Sequence, residues 1–231
     1  YALNKLKEKG HFISVATGRL YTMTKPFCDQ FGISNMVTDG GFGTVLNGQV
    51  DIKPLDRQMM IDIVDVFEEK NIPWAICMAD ERVWHTRTKK FYDIMEKDKM
   101  NYMDTVIDPN LDIRKVKDIF KGFACINPEE EAGLEALKNV TYTRYRPGYI
   151  VIEPDDKSLG IRKIMDLMGI EDQDVVVFGD NTNDIKMFRP EWTSIAMGNA
   201  VEELKKIADF VTKDADDGGI EYACRHFGWI D

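Results

Sequence analysis

Apolar and polar positions along the chain fall into two rhythms. Residues 2 to 9 read as the end of an amphipathic helix stopped at Gly10, and HFISVA as a short buried strand. TGRLYTMTKPFCDQFGI then enters a helix that ends near Gly32, and MVT, residues 36 to 38, reads as a weaker strand before the turn DGGFG. The same alternation returns far downstream. Helix GIRKIMDLMGI, strand DVVVFGD, helix NDIKMFRP, strand SIAMG, helix NAVEELKKIA and strand DFVT lead to a last helix from about Gly219. Strands alternating with helices predict an α/β fold with a parallel, doubly wound, Rossmann-like sheet. Between residues 51 and 149 the rhythm breaks. Helical LDRQMMIDIVDVFEEK, strands PWAICMA and RVWHT, helix PEEEAGLEALKN and strands VTYTRY and YIVIE read as an α+β module. The predicted organisation is a core built from residues 1–50 and 150–231, interrupted by an inserted α+β domain over 51–149.

Composition narrows the function classes. The 231 residues suffice for one large or two modest domains, and 44 % apolar with 30 % charged residues is a globular balance. No run of 18 or more apolar residues occurs, and YALNKLKEKG lacks a signal peptide's apolar stretch, so a cytoplasmic location is expected. Cys28, Cys77, Cys125 and Cys224 are scattered without a CxxC pair, which predicts reduced thiols. A net charge of −10 argues against nucleic acid as a partner, and nothing points to a membrane. An anionic small substrate requires a local cation to offset that field.

Open α/β sheets bind ligands at the carboxyl ends of their strands, and two predicted strand ends carry polar clusters. The first is Thr17-Gly18-Arg19: a hydroxyl, a glycine with an accessible N–H, and the start of a helix whose dipole favours an anion. Thr17 reads equally as an ordinary helix N-cap. The second cluster is Asp180, Asn183 and Asp184. Carboxylates four apart at a strand-to-helix turn can face one point, and hard oxygen ligands suit Mg²⁺, which takes one or two carboxylates plus a phosphate. The competing reading is structural, with Asp180 as a helix cap and Asp184 as a first-turn acid. His11 and His226 have no metal-ligand partner at useful spacing.

VATGR at 15–19, FGDNTNDIKMF at 178–188 and SIAMGNAVEELKKIADFVT at 194–212 together resemble the haloacid dehalogenase superfamily, more narrowly its Cof-like phosphatases, which carry a large α+β cap. The resemblance runs along nearly the whole chain. It implies that Thr17 and the following backbone N–H bind the transferring phosphoryl group, that Asp180 coordinates Mg²⁺, that Asp184 supports the metal directly or through water, and that Asn183 orients the site. It further implies phosphate-monoester hydrolysis through an aspartyl-phosphate, the covalent carboxylate strategy.

Three positions depart from the family pattern. The nucleophile and acid/base of the family are two aspartates in a DxD on a core strand ahead of VATGR. The chain begins inside the helix that follows that strand, so the nucleophile is expected upstream of Tyr1. The strand itself would lie between those ending at Thr17 and Asp180, so two apolar edges are expected to face a gap, and this chain alone to fold poorly. The family's Lys-Gly pair after the cap is matched here by Leu159-Gly160. Lys157, two residues earlier, either swings in on its long stem or is a solvated loop lysine beside Asp155 and Asp156. Asp39-Gly40 stands where the family often has Asn-Gly, and Asp39 either adds like charge beside the substrate or serves the turn.

Within the cap, Trp74, Trp84, His85, Arg87, Arg144, Tyr145 and Arg146 are candidate substrate contacts, although alternation along strands explains most of them. Three functions follow. The first is a Mg²⁺-dependent phosphatase of small phosphorylated metabolites, with sugar phosphates the expected class and pyridoxal phosphate and nucleotides behind. The second, motivated by Leu159 and Asp39, is a weakened or inactive relative with a binding or regulatory role. The third is a phosphomutase or other phosphoryl transferase.

Overall fold

The structure, a computed structural model, describes residues 1–97 and 103–231. Following α1 (Ala2–Glu8), a four-stranded sheet forms in the order β1 (Ser14–Ala16), β2 (Asn35–Thr38), β3 (Gly43–Leu46), β4 (Gln49–Ile52). β1 and β2 are parallel and joined by α2 (Tyr21–Gln30), while the β2–β3 and β3–β4 pairs are antiparallel. This part of the core is therefore mixed rather than parallel throughout. The reversal is made by Asn47-Gly48, whose φ angles of 51° and 79° are those of a tight hairpin turn.

The inserted module begins with α3 (Arg57–Glu69), whose N-terminus is capped by Asp56 accepting from Met59 N at 2.7 Å. Its apolar positions Met60, Ile61, Ile63, Val64 and Phe67 are buried along one face. Each such side chain stabilises the fold by about 1.5–3 kcal/mol. They pack on a six-stranded sheet of β5 (Trp74–Cys77), β6 (Val83–Thr86), β7 (Asp104–Ile107), β8 (Lys121–Ala124), β9 (Tyr142–Arg146) and β10 (Tyr149–Ile152), in the order β7-β6-β5-β8-β10-β9. The other face carries Ala75, Cys77, Trp84, Phe123 and Tyr149 under α4 (Lys89–Lys97). PEEEAGLEALKN is not one helix. It divides into α5 (Pro128–Ala132), closed by a capping box between Asn127 and Glu130, and a 3₁₀ turn at Glu135–Asn139.

The chain re-enters the core through α6 (Lys157–Met168), capped by Asp156 and ended by Gly169. β11 (Val176–Gly179), β12 (Thr193–Ala196) and β13 (Phe210–Val211) follow as a three-stranded parallel sheet. α7 (Glu202–Ile207) and α8 (Gly219–His226) complete the chain. NDIKMFRP, expected as an α-helix, forms a 3₁₀ helix at Thr182–Met187. Among the described residues, β1 pairs only with β2 and β11 only with β12, so no ladder joins the two core sheets. They are tied by packing instead, with Ala16 of β1 against the cluster under α6 and β11. All four cysteines are buried: Cys28 with Ile33 and Met36, Cys77 and Cys125 in the module, and Cys224 with Ala2 and Ile230. No helix among the described residues is long and apolar enough to cross a membrane.

Candidate active site

Thr17 lies one residue past β1, and its N–H still donates to Val37 O at 2.9 Å. The turn after β2 fixes the rest of the loop: Gly40 N donates to Thr17 O at 3.2 Å and Asp39 N to Arg19 O at 2.9 Å. That turn is pressed so closely on the incoming chain that a Cβ on Gly40 would lie 1.7 Å from Pro154 O, and its φ of +63° also calls for glycine. Arg19 N donates to Thr17 Oγ1 at 3.1 Å. That oxygen accepts from within the loop and keeps its own O–H as a donor. The Arg19 side chain is exposed, so only its backbone is held at the loop.

The second cluster follows β11. Asn181, not Asp180, caps the 3₁₀ helix, and Asp184 completes a capping box by accepting from Asp180 N at 2.9 Å and Asn181 N at 3.1 Å. Asp184 is buried, and its other oxygen accepts from Lys157 Nζ at 2.5 Å. Lys157 is thus no solvated loop lysine. It opens α6 inside the site, whereas Leu159, two positions round the helix, is 51 % exposed. The buried ammonium group lies one half-turn of α6 before Leu159. Asp180 is exposed, and partial burial together with the neighbouring Asp184 charge raises its carboxyl above the usual carboxylate range.

Asp39 does more than shape a turn. It is 2 % exposed, and neither carboxylate oxygen has a hydrogen-bond partner among the described residues. Burial pushes its pKa up to about 6, Lys121 and the Thr38 hydroxyl oppose the rise, and Asp80 and Glu153 add to it. Sequence reasoning missed Lys121, Glu153 and Asp80. Lys121 forms a buried ion pair with Glu153, whose other oxygen accepts from the Tyr145 hydroxyl at 2.6 Å. That hydroxyl lies against the Thr17 loop: a Cβ on Gly18 would lie 3.1 Å from it. Of the other cap candidates, Arg144 is engaged with Glu131 and Arg87 with Glu68, while Trp74 and Trp84 are core residues.

The Thr17 hydroxyl past β1, the paired carboxylates past β11 and the buried lysine that opens α6 thus belong to one core interrupted by the inserted module. The profile of the haloacid dehalogenase-like hydrolases matches residues 1–223. The chain belongs to that family. Among curated proteins, this hydrolase is 29 % identical over 239 residues to YkrA of Bacillus subtilis, a protein named as a candidate phosphatase, covering 98 % of this chain and 88 % of the relative. A solved protein from Geobacillus kaustophilus superposes with a TM-score of 0.86 at 29 % identity, covering 99 % of this chain and 90 % of the other. The subclass IIB sugar phosphatase BT4131 superposes with a TM-score of 0.77 at 26 % identity, again covering 99 % and 90 %. The inserted module is thus the cap of a Cof-like member, and the hydrolase is of the phosphoric monoester class.

The acidic pair fits a hard divalent cation in chemistry. Asp180 and Asp184 repel one another, and the exposed Asp180 carboxylate is the one whose oxygens remain open to a ligand, since Asp184 already accepts from Lys157 and two backbone amides. Hard carboxylate oxygens of this kind suit Mg²⁺, which also keeps waters and takes phosphate oxygens.

Proposed function

We propose that the intact protein is a Mg²⁺-dependent phosphatase of small phosphorylated metabolites, with sugar phosphates as the substrate class. The observation that carries this reading is the buried Lys157–Asp184 pair beside Asp180, in the same core as the loop whose Thr17 hydroxyl accepts from the Arg19 N–H. Thr17 and the Gly18 N–H would orient the phosphoryl group, and Lys157 would offset its charge within a chain of net charge −10. Asp180, supported by Asp184, would hold Mg²⁺, and Asn183 would steady that loop. When bound, the ion neutralises charge on the phosphoryl oxygens. The reaction would run by attack of a carboxylate on phosphorus with departure of the substrate alcohol, giving an aspartyl-phosphate that water then hydrolyses to inorganic phosphate and the free carboxylate. Sugar phosphates are favoured by the likeness to BT4131 and by the Tyr145 hydroxyl above Gly18.

The buried Lys157 cation speaks against one of the two motives for the inactive reading, the lack of a cation at Leu159. The test is hydrolysis of p-nitrophenyl phosphate and a panel of sugar phosphates by the full-length protein with Mg²⁺. Turnover is expected, with a fall of at least about 100-fold in kcat for Asp180→Asn. Unchanged turnover in that variant or in excess chelator sinks the assignment, and phosphate transfer without net release favours the transferase reading.

A further inference from the structure

Residues 17–22 carry the hydroxyl that the proposed reaction uses, and the cap grips them at three points. Lys121 Nζ donates to Gly18 O at 2.7 Å. Leu20 has no exposed surface and lies in the cap cluster with Ala75, Cys77, Trp84 and Tyr149. Asp80, from the loop between β5 and β6, accepts from Thr22 N at 3.2 Å and Thr22 Oγ1 at 3.3 Å.

The first grip is in line with the reacting hydroxyl. Gly18 C=O and Arg19 N–H are the two ends of one planar peptide unit. Lys121 donates to the carbonyl end, and the amide end donates to Thr17 Oγ1 at 3.1 Å. A cation on the carbonyl polarises the amide and strengthens its N–H as a donor. We propose that Lys121 of the cap is a positioning residue for Thr17: it sets the 18–19 peptide and, through it, the direction in which the Thr17 hydroxyl donates. The proposal rests on the phosphatase reading of Thr17.

The lysine is itself fixed. It opens β8 and Glu153 follows β10, and the Ile152–Gly122 register of this antiparallel pair sets the two side chains next to each other. Their side chains are only 6 % and 3 % exposed, and Glu153 is held in turn by the Tyr145 hydroxyl. A buried pair of this kind adds little stability over apolar residues of the same shape. What it provides is one ammonium group delivered at a fixed point on the core loop. The orientation of Thr17 thereby depends on the cap being closed.

The test uses the full-length protein and two readouts. Hydrogen exchange at the Arg19 amide, followed by NMR, reports on the peptide directly; p-nitrophenyl phosphate hydrolysis reports on Thr17. Lys121→Met/Glu153→Gln removes both charges together and strands neither, and Lys121→Arg keeps a cationic donor. The double variant is expected to exchange the Arg19 amide at least about tenfold faster. Its kcat is expected to fall about 10- to 100-fold with KM changed less than about threefold, the pattern of lost transition-state alignment. Lys121→Arg is expected to recover most of both. Unaltered Arg19 exchange in the double variant overturns the proposal, whatever the rate does. Absence of phosphatase activity in the wild type removes the catalytic reading of Thr17, while the exchange measurement still decides whether Lys121 sets the peptide.

Discussion

Asp39 is the residue at which turn chemistry and burial conflict. Its backbone takes a positive φ of 52°, which aspartate tolerates in turns, yet its carboxyl is buried without a partner. An acid whose pKa rises from 3.8 to about 6 binds protons on folding, so its contribution favours the folded state at low pH. That contribution is fully present below about pH 4 and is lost as pH rises through about 6. At pH 7 the ionised group costs on the order of 2–3 kcal/mol. Asp39→Asn is expected to stabilise the protein by about 1–3 kcal/mol at pH 7 and to flatten the slope between pH 4 and 6, as read by urea unfolding at both ends. An unchanged slope would mean that another group titrates there. Lys157 shows why residue-scale reading of sequence has a limit. Asp156 starts the helix at Lys157, and that starting point sets which of Lys157 and Leu159 faces the acids. A dipeptide pattern such as Leu159-Gly160 carries no helical phase, whereas Thr17 and Asp180 each directly follow a strand that an apolar run marks.

Among the elements, α2 is the clearest case of a local signal completed from afar. The sequence marks its start as a place that favours an anion, and Leu20 at the N-cap supplies no side-chain acceptor. Asp80, 58 positions beyond Thr22, is the anion that caps it. No local pattern links the two, since the cap's fold alone brings them together. Asp80→Ala is expected to cost about 1 kcal/mol, a drop of about 2–4 °C in Tm by calorimetry. Asp80→Asn retains an acceptor and should recover most of it, and equal losses in the two would point to charge rather than capping. The β3–β4 hairpin had its own signal, because Asn47-Gly48 between short apolar runs is a hairpin turn. It was obscured by β4, whose residues Gln49, Val50 and Asp51 are all exposed and show no buried face. Likewise β8 escaped a pattern reading: KGFA is buried throughout, with a lysine at its start.

For the molecule as a whole, the alternation of strands and helices was enough to place the core on both sides of an insertion. It did not reveal how the core's halves are joined. The two core sheets share no ladder among the described residues, while the cap holds the Thr17 loop by Lys121, Leu20 and Asp80. The cap is therefore part of what positions that loop.

The four buried cysteines turn this clasp into a clock. Burial pushes the Cys77 thiol up to about 12, so a thiol reagent reacts there only when the cap cluster opens, and its labelling rate counts those openings. Cys224 sits in a separate cluster between the chain's ends and times that region independently. Leu20→Ala, which removes the core's apolar anchor from the cap, is expected to speed Cys77 labelling at least about tenfold while leaving Cys224 unchanged. Equal acceleration at both would indicate global unfolding instead of release of the cap.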